Sequence, residues 1–223
     1  MGERRDARKR PGAPSAGPHL ERLLWRVGIE HVAGVDEVGM GPLAGPVVAA
    51  AVVLPREAVL DGVADSKLLR AAERERLDGE IRLQALAIGI GVVESSEIDR
   101  VNIYQAAMRA KRDALAALGL RPGFVLVDGR EIPGLAFPQS AYPKGDGFVL
   151  SIAAASIVAK VHRDALMRDL DEAHPGYGFG RHMGYATAAH LRALRELGPS
   201  PIHRRSFAPL ANDAQLSLGV LSR

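Results

Sequence analysis

Two adjacent carboxylates interrupt an otherwise apolar, glycine-punctuated stretch, AGVDEVGMGPLAGPVV, running from Ala33 to Val48. Val32 to Val38 has the makeup of a buried strand, so Asp36 and Glu37 fall where water is scarce. Burying an uncompensated carboxylate costs on the order of several kcal/mol. A divalent cation is the obvious compensating charge. Adjacent strand residues point to opposite faces. One site can therefore use both acids only if Asp36 points into it and Glu37 reaches it at the strand edge or through a local twist. Gly39 and Gly41 follow closely enough to permit that distortion.

Two further acids have surroundings that do not suit a surface charge. Asp128 follows the run FVLV and precedes Gly129, which puts it at the C-terminal end of a short buried strand. Strand ends of this kind are where α/β sheets carry functional groups. Asp146 lies in PKGDG, Pro143 to Gly147, where Gly145 and Gly147 allow a close backbone approach. Magnesium and manganese take oxygen ligands, and magnesium keeps several waters, so a few carboxylates plus phosphate oxygens suffice. Acids arranged in this way suit two-metal hydrolysis of a phosphodiester by in-line displacement. A straight, centrally paired strand with Glu37 far from Asp128 would break that expectation.

Bulk properties narrow the alternatives. The 223 residues can bury a substantial core, and 47% of them are hydrophobic, which excludes a disordered chain. No apolar run approaches a membrane span, and the charged, Pro/Gly-rich start has no secretory h-region. Absence of cysteine removes disulfides and thiolate metal sites and fits a reducing, cytoplasmic setting. The net charge of +3 is unevenly spread: residues 1–20 and residues 160–205 each carry +3, which leaves the remainder near −3. Basic ends around an acidic middle suit an enzyme acting on a polyanion. On charge alone, ordinary surface charge is the simpler account.

The expected organisation is a flexible basic tail over residues 1–20 and one catalytic domain over 21–223 with a helical C-terminal lobe. Strands are expected at Val32–Val38, Val47–Leu54, Ala85–Val93 and Phe124–Val127, the first two as a hairpin. Helices are expected at Leu20–Val27, Leu69–Leu83, Ile103–Leu118, Val149–Leu170 and Thr187–Leu197, the last with Thr187 as N-cap. This order is α/β with a central mixed sheet.

An ordered series of short motifs resembles the ribonuclease HII family, the type 2 ribonucleases H, over about residues 30 to 210. The series is AGVDEVG, GPLAGPV, DSK from Asp65, VDG from Val127, KGD from Lys144, ASIVAKVHRD from Ala155, YGF from Tyr177, GYATAAH from Gly184 and HRRSFAP from His203. The resemblance implies a ribonuclease H-like fold and a Mn²⁺- or Mg²⁺-dependent endonuclease. Such an enzyme cuts the RNA strand of RNA–DNA hybrids, and cuts 5′ of ribonucleotides embedded in duplex DNA, leaving 3′-hydroxyl and 5′-phosphate ends. It places the catalytic acids on Asp36, Glu37, Asp128 and Asp146, the first three holding metal. Its ribonucleotide-sensing tyrosine falls on Tyr185, expected to stack near the RNA–DNA junction. Gly39, Met40, Gly41, Lys67 and Lys144 complete the expected substrate contacts. A sliding clamp is a candidate partner, and a monomer is the working state.

Two positions depart from the family pattern. Met40 stands where an arginine is usual between the two glycines, and Met183 where a lysine is usual before Gly184-Tyr185. Each removes a cation from the expected backbone-binding surface, which predicts a weaker grip with the chemistry intact. Several residues have plainer readings. Asp164 is explained by a salt bridge to Lys160 or Arg168. Lys144 could pair with Asp146, and Asp65-Ser66-Lys67 could be an Asx-turn loop. Tyr177 and Tyr185, taken as lone aromatics, would be packing residues. His174, His182 and His190 do not have zinc-ligand spacing, and the glycines from Gly34 to Gly45 fit no phosphate-loop pattern. Another two-metal nuclease, such as a junction resolvase or exonuclease, is the runner-up. A catalytically silent hybrid-binding protein is disfavoured by four intact acids.

Overall fold

The run Val47–Val53, valine and alanine throughout, has no polar side, and it lies where none is needed. The structure, a computed structural model, describes residues 16–63, 66 and 69–211. The basic cluster of the expected tail, Arg4 to Arg10, lies outside them. Five strands form one mixed sheet: β1 (Val32–Val38), β2 (Val47–Val53), β3 (Ala87–Val93), β4 (Phe124–Asp128) and β5 (Gln139–Tyr142), in the order β3-β2-β1-β4-β5. β1 runs antiparallel to β2 as the expected hairpin and parallel to β4, while β4 runs parallel to β5. β2 is buried on both faces, and its small alanines let helices close on each.

α4 (Ile103–Ala116) covers one face, against Ala33, Val35, Ala49, Ala51 and Val125. α5 (Leu150–Ala173), with α2 (Ala71–Gln84) beside it, covers the other, against Val48, Ala50 and Val52. Odd and even residues of β1 and β2 thus divide between two cores, the period-two pattern of a sheet sandwiched by helices. α5 lies so close to β1 that a Cβ on Gly34 would come within 2.1 Å of the Ser151 carbonyl carbon. Only glycine permits this backbone-to-backbone contact. Glu21, buried on α1 (His19–Arg26), fixes the start of α5: its Oε1 accepts from the Ser151 amide at 2.8 Å and hydroxyl at 2.7 Å. That carboxylate faces the positive end of the helix.

Ala16 and Gly17 already belong to the packed domain, donating amide hydrogens to Val63 and Phe148 carbonyls. These two residues fall within the segment expected as tail. Three elements were not expected: β5, α3 (Ser95–Val101) and α6 (Phe179–His182). α3 and α4 are separated only by Asn102, at φ 73°, whose side chain caps α4 by accepting from Gln105 N–H at 3.1 Å. α7 (Ala188–Leu197) follows its expected N-cap, Thr187, whose hydroxyl accepts from His190 N–H.

Candidate active site

β1 pairs with β4 only as far as Val35, opposite Val127, whereas its pairing with β2 continues to Val38. Asp36 and Glu37 therefore project from a strand end that is free on the β4 side, next to Asp128 at the end of β4. As the pleat requires, they take opposite faces. Asp36 lies toward α5, where the Ser156 hydroxyl hydrogen-bonds it. Glu37 lies toward α4, where Lys111 Nζ approaches its Oε2 at 2.5 Å. Lys111 also donates to the Asp128 carbonyl oxygen at 2.8 Å. One ammonium thus ties Glu37 to the end of β4, and the two faces meet around the strand end. Glu37 reaches the site at an edge, as expected.

Asp36 is 4% exposed and carries the strain of the cluster. Burial, then the negative charges of Glu37 and Asp128, push its carboxyl well above the usual range; Ser156 and Lys111 only partly oppose them. Asp128 Oδ1 accepts from Gly145 N–H at 2.7 Å. This bond pins the tight 3₁₀ turn Gly145–Gly147, which carries the buried Asp146, beside β4. Exposed Lys144 enters the turn in the left-handed region, at φ 60°. The four acids expected from sequence thus lie on adjoining segments: the end of β1, the end of β4 and the turn fastened to it.

The donors are all carboxylate oxygens, which suits a hard cation such as Mg²⁺ or Mn²⁺ and not a soft one. The Lys111 contact to Glu37 Oε2 is ionic without hydrogen-bond geometry, so that buried oxygen has no hydrogen-bond partner. Three carboxylates crowded so that one of them is hard to ionise are what a divalent cation would relieve. Among the described residues, no three or more Asp, Glu, His or Cys side chains are already gathered closely enough to hold a metal ion by themselves. An ion that keeps waters and takes phosphate oxygens does not require such a set. The residues fit the group.

The loop after β1 is held from beneath by two arginines. Arg204, fully buried, donates to the Gly39, Met40 and Gly45 carbonyls, with Nη2 at 2.7 Å from Gly39 O. Arg163 on α5, also fully buried, donates to Pro46 O at 2.9 Å, Met183 O at 3.1 Å and Ala44 O at 3.3 Å. Burial, then the neighbouring Arg163, pull the Arg204 guanidinium down to about 9, so it stays charged at neutral pH. Gly39 sits at φ 94°, and a Cβ there would meet Arg163 Nε at 2.4 Å. Tyr185, 46% exposed, lies above Gly41, its Cε1 3.7 Å from where a Cβ would project. The Leu43 amide donates to Gly184 O at 2.9 Å, locking the two segments together.

The family model for ribonuclease HII matches residues 33–210. The chain belongs to the ribonuclease HII family. It is 53% identical over 202 residues to the ribonuclease HII of Geobacillus thermodenitrificans, covering 91% of this chain and 76% of that one. It is 54% identical over 188 residues to the ribonuclease HII of Geobacter metallireducens, covering 84% and 88%. The crystal structure of ribonuclease H2 from Pyrococcus horikoshii superposes with a TM-score of 0.70 at 25% identity, over 83% of this chain and 98% of that one. The ribonuclease HII in the PCNA:RNase HII complex from Archaeoglobus fulgidus gives 0.66 at 27% identity, over 78% and 93%. The fold is ribonuclease H-like, as expected.

Against the ribonuclease HII pattern, the two methionines have structural roles. Met183 packs against the cluster of Ala44, Met167 and Phe179, and its carbonyl accepts from Arg163. Met40 packs against the α4-side core. These positions are apolar contacts as well as missing cations. Lys67, with Asp65, lies outside the described residues. Ser66 of the same motif is buried, and its hydroxyl is 2.9 Å from that of Ser156, which ties the loop to the residue touching Asp36. Asp164 pairs with Lys160 at 2.5 Å, as expected, and with Arg74 at 3.7 Å in place of Arg168. Tyr177 packs as expected, stacked on Phe179, with its hydroxyl bonded to Gly198 O.

Sequence reasoning missed Lys111, Ser156, Arg163 and Arg204. The charge excess over residues 160–205 overstates the cations available to a polyanion, because Arg163 and Arg204 are internal. Lys111 did leave a signal. It falls on the apolar face of α4 with Ala107, Ala114 and Leu115, where a lysine is as anomalous as Asp36 is in β1.

Proposed function

We propose that this protein is an endonuclease that hydrolyses the RNA strand of RNA–DNA hybrids and cuts 5′ of ribonucleotides embedded in duplex DNA. The observation that carries the reading is the convergence of Asp36, Glu37 and Asp128 on one strand end, with Asp146 fastened beside them through Gly145. Family membership supports the reaction class. It also displaces the resolvase and exonuclease readings.

Asp36, Glu37 and Asp128 would hold Mn²⁺ or Mg²⁺, which when bound supplies an activated water and charge neutralisation at the scissile phosphate. Ser156 orients Asp36, and Lys111 keeps Glu37 turned back toward Asp128. Asp146 completes the catalytic acids from the turn. The attacking water displaces the upstream 3′ oxygen in line, breaking the P–O3′ bond. A 3′-hydroxyl and a 5′-phosphate on the ribonucleotide result. Specificity would come from the neighbouring loop. With the carbonyls of Gly39 and Met40 turned inward to Arg204, the loop's outer side near Gly41 is left for the ribonucleotide, and Tyr185 stacks at the junction. Lys67 and Lys144 would hold phosphates. The Archaeoglobus relative, solved with PCNA, keeps a sliding clamp as a candidate partner. Among the described residues no helix is long and apolar enough to cross a membrane.

The test is a labelled DNA duplex with one ribonucleotide, incubated with and without divalent metal beside an all-DNA duplex. Cleavage 5′ of the ribonucleotide, only with metal, is expected. Cutting of both duplexes, or cutting in excess chelator, would overturn the reading. Full activity of Asp128→Asn would overturn the site.

A further inference from the structure

Tyr185 is held at the loop by its backbone, and its carbonyl ends a chain of hydrogen bonds through two buried histidines. The Ser200 amide donates to His203 Nδ1 at 2.9 Å. His203 Nε2 is 3.0 Å from His190 Nε2. His190 Nδ1 is 2.9 Å from the Tyr185 carbonyl oxygen. Both ends of this chain are fixed, since an amide can only donate and a carbonyl can only accept. His203 must therefore be bare at Nδ1 and carry its proton on Nε2. His190 must be bare at Nε2 and carry its proton on Nδ1. One protonation state satisfies all three contacts, with both rings neutral.

We propose that His190 and His203 are positioning residues that set Tyr185 over Gly41 and so tune discrimination for a ribonucleotide at a DNA junction. This rests on the reading of Tyr185 as the ribose sensor. A proton on His190 would set two N–H groups against each other across the pair. A proton on His203 would set one against the Ser200 amide. Either breaks the chain at one contact and loosens the seating of the His190 ring, although the Ser200 hydroxyl, 2.8 Å from His203 Nδ1, can accept in place of the amide and the Thr187 amide keeps its own bond to the Tyr185 carbonyl at 2.8 Å.

The surroundings favour the neutral pair. The two rings are 0% and 2% exposed. Phe179 presents its edge to His190 at 5.4 Å, and Tyr177 lies 5.2 Å from His203. His182 stacks on His190 at 4.5 Å and disfavours a second charge there. The charges acting on His203, from His190, Arg205 and His174, disfavour its protonation. Burial lowers His190, and burial with His190 brings His203 down to about 4. The relay is therefore intact at neutral pH and fails in acid. Any loss of catalysis in acid is shared by both substrates, so a ratio of rates on the two cancels it.

The measured quantity is kcat/KM on a duplex with one embedded ribonucleotide divided by kcat/KM on a long RNA–DNA hybrid. His190→Phe removes the side-chain donor to the Tyr185 carbonyl, leaving only the Thr187 amide on it, and is expected to lower the ratio about tenfold, the cost of one buried hydrogen bond. His190→Asn places an amide N–H at the Nδ1 position and is expected to restore most of it, which a loss of packing alone would not do. In a Tyr185→Ala background, His190→Phe is expected to add nothing. The wild-type ratio is expected to be flat from pH 9 to pH 6, where both rings are neutral. ¹⁵N spectra of the folded protein at neutral pH read the tautomers directly: Nε2–H for His203 and Nδ1–H for His190. Either ring cationic there, or the opposite tautomers, overturns the relay. A folded His190→Phe with an unchanged ratio overturns its positioning role. An unchanged ratio in Tyr185→Ala overturns the sensor reading and the positioning claim with it, while the tautomers are judged by the spectra alone.

Discussion

Charge is buried on both sides of the loop after β1, and the two sides treat it oppositely. On the strand side, Asp36, Glu37 and Asp128 crowd like charges together, with one lysine to offset them and one carboxylate oxygen left without a hydrogen bond. On the other, Arg163 and Arg204 also crowd like charges, yet backbone carbonyls surround both guanidiniums. A buried ion with its valences filled is structural. A buried ion with valences open costs stability until something binds. The acids keep an excess of like charge that the chain does not offset, and the arginines are already satisfied by the chain itself.

Substitution separates the two kinds of charge. Asp36→Asn is expected to lower single-turnover cleavage about a thousandfold or more, and to raise the melting temperature in chelator at pH 8. A carboxyl whose folded pKa is raised makes the folded state lose stability as pH climbs above its unfolded value, and the amide escapes that loss. A variant both inactive and less stable would break the contrast. Arg204→Met should do the reverse, leaving the acids in place while costing about 3 kcal/mol through the orphaned carbonyls of Gly39 and Gly45, read from denaturant midpoints. Lys111→Met sharpens the acidic side: with the competing ammonium gone, half-maximal activity should need several-fold less metal, and an unchanged midpoint would show that Lys111 does not offset the acids.

Acid exposes a further difference. His203 is depressed to about 4, so its neutral form contributes stability above the unfolded value near 6.5. That contribution is lost as pH falls between these two values, by about 1.4 kcal/mol per pH unit. His203→Gln should flatten the stability profile there. Met40→Arg is expected to have the smallest effect, steepening the salt dependence of substrate binding by about one unit. No change in affinity or slope would mean that the loop lost nothing with its arginine.

β1, β2 and β4 were legible because mostly apolar runs of strand length ended at glycine, proline or aspartate. The acids were legible for the related reason that charge is anomalous inside such runs. β5 was not, since its four half-buried residues, QSAY, show neither alternation nor an apolar run. Tyr185 needed the family pattern, as a lone exposed aromatic carries no signal of its own. Arg163 and Arg204 were hidden by their type. Arginine in a basic C-terminal region suggests an outer surface, and its carbonyl partners are main-chain atoms that no side-chain pattern announces. His182 and His190 were weighed only as zinc ligands, by a spacing that is local, and His203 was not weighed, while their contacts join α6, α7 and the segment after α7.

The Arg204 contact with Gly39 spans 165 residues. This clasp closes almost the whole described domain on itself, from the segment after α7 back to the end of β1. The strands pair without it, because their hydrogen bonds are their own, but the loop beside the acids borrows its shape from the far end of the chain. A change near Arg204 is therefore felt at Gly39, although the two lie toward opposite ends of the domain's sequence.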